Sequence, residues 1–480
     1  MKPVRRLAAL AVLSATLLVG CASGPDYKKP EVSMPAAWQS IAPFHEAAPN
    51  DSALKGNWWE LFQDAQLNQL EQQALAKNQN LLIATTRLEQ ARQQLTVSRA
   101  AFFPQVGLQG GVTREKSSAD RPLALYGEPN QSTVQTDHQL GFTVSYEADL
   151  FGGVRRAVES AQASAEQAAA DFENTRLVLM SDLASDYFNL RELDDEIDVV
   201  HQAIALQEKA LNFITARHDL GIASGLDLAQ QQSLLDANRT QLELLNNTRT
   251  QYEHALATIT GAAAPTFALP PVVVALTPPT LPTGLPSDLL QRRPDIASAE
   301  RQMAANNANI GVARAAYFPT VMLQPGAGWD SNQMSTLFNA PSIFWSLGAT
   351  FTQTLFDAGK TTARVKIAEA SYTASVANYR QSILVAMQEV EDGIDGMALL
   401  GRAGNQAEAS VRSSQRVLDL ANDRYTGGLD TYLDVIAAQQ TLLTNQRQAV
   451  QIHGQQILTT VYLVKALGGG WQENTLQASK

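Results

Sequence analysis

The chain has 480 residues, enough for two or three ordinary domains. It is 45% hydrophobic but only 7% aromatic, and its formal charge is −11. An acidic surface repels phosphate backbones, so nucleic acid is excluded as the expected partner, and the composition suits long packed helices better than an aromatic-rich core.

At the N-terminus Lys2, Arg5 and Arg6 precede an apolar run, 7–19, that is too short to span a bilayer. Leu18-Val19-Gly20-Cys21 follows and resembles a lipobox. That resemblance implies a lipoprotein signal peptide over 1–20, a covalent lipid on Cys21 and, because Ala22 rather than Asp comes next, an outer-membrane destination. Cys21 is the only cysteine, so the processed chain has no thiol for a disulfide.

Residues 21–58 carry many prolines and polar side chains and read as extended chain. A first structural unit is expected over 59–260. Its helical pattern starts near Trp59 and stops before Pro104. Strands are expected over 105–115 and 138–150, where apolar and polar residues alternate, with an exposed loop over 116–137 between them. After Phe151-Gly152-Gly153 there is no glycine or proline until Gly221, which predicts a helix over 154–220 of roughly 100 Å at 1.5 Å per residue. Val158, Ala161, Ala165, Ala168 and Phe172 give it a coiled-coil seam. A turn at Gly221–Gly225 leads to a helix over 228–260, capped by Asp227. The Asp194-Asp195-Glu196 run on the long helix reads as a solvated face.

A proline-rich linker spans 261–286, with Val272-Val273-Val274 as a candidate short strand. The pattern then returns over 287–467. Ala316-Tyr317-Phe318-Pro319 answers Ala101-Phe102-Phe103-Pro104, and strands are expected over 320–330 and 343–355. A second long helix covers 360–426, with Gly393, Gly396, Gly401 and Gly404 marking bends or close packing. Gly427-Gly428-Leu429-Asp430 then makes the second turn, the last helix covers 434–467, and 468–480 forms a tail. A duplicated unit of this kind buries its faces against its own copy.

Strands of roughly 10 residues match a membrane β-strand. Four cannot close a barrel, and an open edge does not survive in lipid. Several chains must therefore share one wall, or the sheet is not in the membrane. The six histidines show no metal-ligand spacing, and no phosphate loop or nucleophile–base pair is visible, so no catalytic, metal or cofactor site is expected apart from the lipid on Cys21.

Arg292-Arg293-Pro294-Asp295-Ile296, Ala313-Arg314-Ala315-Ala316-Tyr317-Phe318-Pro319, Gly24-Pro25-Asp26-Tyr27 and Trp59-Glu60-Leu61-Phe62 are similar to the signature of outer membrane efflux proteins. The branch is the TolC-like family, NodT-type lipoproteins of resistance-nodulation-division efflux systems. The resemblance implies a mixed α and β fold: a trimeric outer-membrane β-barrel, about four strands per chain, continuous with a long periplasmic α-helical barrel. It implies a homotrimer held in outer-membrane lipid, a periplasmic adaptor, an inner-membrane pump, and passive efflux of drugs or other small molecules. It places a periplasmic aperture at the two turns, with Leu433, Asp434, Asp430 and Asp227 as candidates. Ala437 and Gln440 stand where the family often carries Asp and Arg. Protein or metal-ion export, or a pore-free periplasmic coiled-coil scaffold, remain open alternatives at this point.

Overall fold

The computed structural model describes residues 23–30, 35, 57–120, 132–273, 278–279 and 293–469. The signal segment, Cys21, Arg292 and much of the linker and tail lie outside the described residues, as does Val274. Val272 and Val273 are not in a strand.

The first helical region is divided where side chains cap the backbone. A 3-10 turn, Trp58–Phe62, ends at Gln63, which has a left-handed φ of 53°. Asp64 then accepts from the N–H groups of Gln66 and Leu67 and starts α1, Ala65–Lys77. Asn78 accepts from Leu81 N–H at 3.0 Å and starts α2, Gln79–Ala100.

The remaining helices fall into pairs. The long helices α3, Gly153–Asp219, and α6, Lys360–Thr426, each have 67 residues. Helices α4, Gly225–Ile259, and α7, Tyr432–Ala466, each have 35. Helix α5, Pro294–Ala315, has 22, like α2. Three equal pairs in the same order make an internal duplication the simplest account. The starts of the long helices share a device as well: Asp149 accepts from Val154 and Arg155 N–H, and Asp357 from Gly359 and Thr361 N–H. Among the described residues no helix is long and apolar enough to cross a membrane.

The sheet contains β1, Gln105–Lys116; β2, Val134–Glu147; β3, Thr320–Leu323; β4, Gly326–Ser331; β5, Ile343–Ser346; and β6, Ala349–Thr352. Single strands expected over 320–330 and 343–355 are each broken in two. Pro325 causes the first break, since it has no N–H for the ladder. Its carbonyl still accepts from Val144 N–H at 2.9 Å, and Gln324 N–H still reaches the Gly348 carbonyl at 2.8 Å. The register is unbroken across the gap: Leu323 faces Ala349 and Gly326 faces Ser346. Thus β3 with β4, and β5 with β6, are two interrupted staves. The order is an antiparallel meander of four staves, β1, β2, β3/β4 and β5/β6, and among the described residues it is open at both edges. The second stave starts at residue 134 and ends at 147, against the expected 138–150.

The described residues form two compact units. One holds the sheet and the helix segments of 89–167 and 300–378, together with 23–30; the other holds 57–88, 168–299 and 379–469. In the first unit, residues 23–27 are bolted to α3 and α5. Arg156 reaches Asp26 at 2.7 Å and the Ser23 carbonyl at 3.2 Å, Tyr27 reaches Glu300, and Asn307 reaches the Pro25 carbonyl. A Cβ on Gly311 would stand 2.6 Å from that Ser23 carbonyl, so only glycine lets this strap lie down. In the second unit, Trp58, Trp59, Tyr187 and Phe188 are buried together, with Phe62 4.7 Å from Phe188 and Tyr187 donating to Asp64 at 2.7 Å. The expected Trp59-Glu60-Leu61-Phe62 motif is therefore a core anchor.

Candidate functional site

Residues opposite one another in an antiparallel ladder share a face, so the register sorts every side chain of the sheet. One face carries Val106, Leu108 and Val112 from β1 and Leu140, Phe142, Val144 and Tyr146 from β2. Its other half carries Val321, Leu323, Ala327 and Trp329, then Ile343, Trp345, Ala349 and Phe351. These are most of the large apolar residues of the sheet, yet many are bare: Trp345 is 77% exposed, Phe351 67% and Val112 67%. An aqueous protein does not leave such a band uncovered. The opposite face carries Gln105, Gln109, Gln139, Thr143, Ser145, Gln324 and Ser346, with Phe344 over Gly141. A shallow pocket opens there between Gln109, Gln139, Thr143, Gln324 and Phe344. One face thus suits hydrocarbon and the other water.

In the second unit the two helix turns use one construction. Gly221 and Gly428 have φ of +72° and +71°. The next residue's N–H returns to the carbonyl five back, Ile222 to Arg217 at 2.8 Å and Leu429 to Arg424 at 2.9 Å. This is the Schellman closure, which requires a left-handed residue. The turns meet over a shared core in which Ile214, Tyr432, Val435 and Leu442 are buried and Ala223 and Leu228 pack against them. Tyr432 donates to Gln231 at 2.8 Å, and burial pushes its hydroxyl pKa up.

The four aperture candidates separate in this geometry. Asp227 is the third helical residue of α4, not its cap. Ser224 is the cap, and the two close a capping box at 3.0 and 3.1 Å. Asp434 accepts from the Thr431 hydroxyl at 2.8 Å. Asp430 is gripped by Arg424 through two guanidinium nitrogens, which holds its carboxyl below the usual range. Leu433 is 54% exposed. It heads an exposed stripe on α7 that continues through Ala437, Gln440 and Thr444, spaced four, three and four. The charged pair that the resemblance leads one to expect at Ala437 and Gln440 is absent. Arg424 was not visible as a partner in the sequence, because a six-residue separation has meaning only once the turn folds back.

The Asp194-Asp195-Glu196 run is not the solvated face expected of it. Asp194 and Glu196 are 3% and 2% exposed. Arg249 reaches Asp194 at 2.6 Å and Arg191 reaches it at 2.7 Å, while Arg447 holds Glu196 at 2.6 Å. Val272 N–H also donates to Asp194, so the linker is tied to this network. Arg293 of the Arg-Arg-Pro-Asp motif clamps Asp295, Glu389 and the Ala466 carbonyl, a structural role. Close packing explains two of the glycines on α6: a Cβ on Gly393 would meet Leu463, and one on Gly404 would meet Gln456. Among the described residues no cluster of His, Cys, Asp and Glu has the makings of a metal site.

The outer membrane efflux protein family model matches residues 70–262 and 285–469. A toluene efflux pump outer membrane protein of Pseudomonas putida, TtgF, is 32% identical over 479 residues, 98% of each chain. The pyoverdine export outer membrane protein OpmQ of Pseudomonas aeruginosa is 32% identical over 472 residues, 97% of each. Among solved structures, the outer-membrane channel OprN superposes with a TM-score of 0.87 at 28% identity, over 94% of this chain and 100% of that one.

Proposed function

The chain belongs to the outer membrane efflux protein family, and from that premise we propose that three copies assemble into one conduit, each giving four staves to a twelve-stave barrel. The protein is an outer membrane efflux component; relatives so named serve pumps for toluene and export of pyoverdine. The observation that carries the proposal is the sheet itself. It has a bare apolar face, a polar face and two unpaired edges, a combination that lipid tolerates only in a closed barrel. Joining β1 of one copy to β5/β6 of the next removes every edge.

The helices α3, α4, α6 and α7 then wall a periplasmic passage that ends at the Gly221 and Gly428 turns. Leu433 forms the apolar constriction there, with Asp430 and Asp434 beside it. Solutes pass down their gradient and no bond is made or broken, so the chain has no catalytic task. A periplasmic adaptor and an inner-membrane resistance-nodulation-division pump deliver them. Cys21 carries the lipid, a reading supported by the lipobox before it and by Ser23 N–H, two residues on, donating to the Phe151 carbonyl at the strand-to-helix junction. The barrel adds to the hold of that lipid. Reconstitution in a planar bilayer tests the conduit. Discrete conductance steps are expected, together with restored drug resistance on complementing a strain that lacks the gene; a silent bilayer would count for the pore-free scaffold.

A further inference from the structure

The outward face of the sheet changes character at its far end. The last apolar row shared by all four staves is Gly110, Leu140, Trp329 and Ile343; beyond it only Val112 on β1 and Val134 on β2, opposite Lys116, continue the apolar face. Pairing of β2 with β4 stops at His138 and Ser331, and the β1–β2 ribbon runs on alone. On that extension Arg114 and Lys116 continue the outward parity of Val106, Leu108 and Val112; both are exposed, and neither forms an ion pair among the described residues. The opposite parity at the same level is acidic: Glu115, Asp137 and Asp330 line the inward face. Charge is sorted by face, cations toward lipid and anions toward the passage.

Resting on the channel reading, we propose that Arg114 and Lys116 form a phosphate-binding rim for the phosphorylated glycolipid of the outer leaflet. β1 leaves the helices at Gln105, so Lys116 lies at the external end. A cation costs a few kcal/mol on the lipid face at the midplane but little near an interface. Arg114 stands one row beyond Val112, and Lys116 stands beside Val134 at the margin of the apolar face, where their stems lie along hydrocarbon and their heads reach the phosphate layer. Arginine grips phosphate through paired donors and lysine meets it as a point charge. Three chains would supply six such cations around the wall. A lysine that merely guards an open edge would have no preference for phosphate.

The test uses the purified full-length protein, titrated with bisphosphorylated lipid A-type glycolipid or its dephosphorylated form, with bound lipid counted by native mass spectrometry. The wild type is expected to bind the phosphorylated form about tenfold more tightly. Arg114→Gln/Lys116→Gln is expected to lose that preference while still conducting, and Glu115→Gln, one position away on the inward face, to keep it. Equal binding of both lipids by the wild type, or an undiminished preference in the double variant, overturns the rim and leaves the channel standing. A wild-type protein that neither inserts nor conducts overturns both.

Discussion

Arg249 donates from Nε to Asp194 Oδ1 at 2.6 Å, and the Asp194 side chain has no solvent exposure. Arg191 and the Val272 N–H complete the shell around this carboxylate, while Arg249 also holds the Leu269 carbonyl. One buried anion thereby joins α3, α4 and the linker. Removing one partner of such a network strands the others without a counter-charge, at about 3–5 kcal/mol. Asp194→Ala is therefore expected to lower the denaturation midpoint sharply and expose the linker to protease, with Asp194→Asn intermediate. Denaturant titration read by tryptophan fluorescence checks this; a wild-type midpoint in Asp194→Ala would contradict it.

How much of this was legible in the sequence depends on the range of the interaction. Element order, both turns and the two-faced sheet follow from local periodicity, so residues such as Val106 and Gln109 announce their faces unaided. The Asp194–Arg249 pair does not, because 55 residues of helix and turn must fold before they meet. A carboxylate run on a helix reads as solvated until its partner is in place. Likewise Pro325 is visible, but only the continuous register shows that β3 and β4 remain one stave.

Glu192 and Asp186 make stability depend on pH. Burial, with repulsion from Glu196 and Asp195, raises the Glu192 carboxyl to about 7; burial, with Asp182, raises Asp186 to about 6. Both exceed their unfolded values of about 4.3 and 3.9. Between those values and the folded ones the folded chain holds protons that the unfolded chain has released. Stability from these groups therefore falls as pH rises from about 4 to about 7 and then levels. Glu192→Gln should flatten this slope and stabilise the protein at pH 8, on the order of 1 kcal/mol. Denaturation midpoints at pH 5 and pH 8 are the check, and an unchanged difference between them would refute it.

Gly328 faces Gly141 across the β2–β4 ladder, and a Cβ there would run into the Leu140 carbonyl and Gly141 Cα. These are backbone atoms and cannot swing aside. Gly328→Val is expected to prevent barrel assembly, at a cost of a few kcal/mol typical of overpacking, whereas Gly111→Ala, with nothing within 4 Å, should assemble normally. Heat-modifiable migration of membrane extracts distinguishes them, and equal assembly of the two would contradict the packing.

At the turns, Arg424 and Asp430 fix the loop that presents Leu433. Asp430 is held ionised to below its ordinary range, so this ion pair persists at neutral pH and is lost only as pH falls below about 4. Leu433→Ser should enlarge the opening directly and Arg424→Gln should loosen the loop, each raising single-channel conductance severalfold. Unchanged conductance in both would move the constriction elsewhere.

The most direct test of the shared wall counts chains per pore. Native mass spectrometry of the protein released from lipid nanodiscs, on the fraction that conducts in planar bilayers, is expected to give a trimer, and hence twelve staves. A conducting monomer, or a trimer with no passage along its axis, would contradict it.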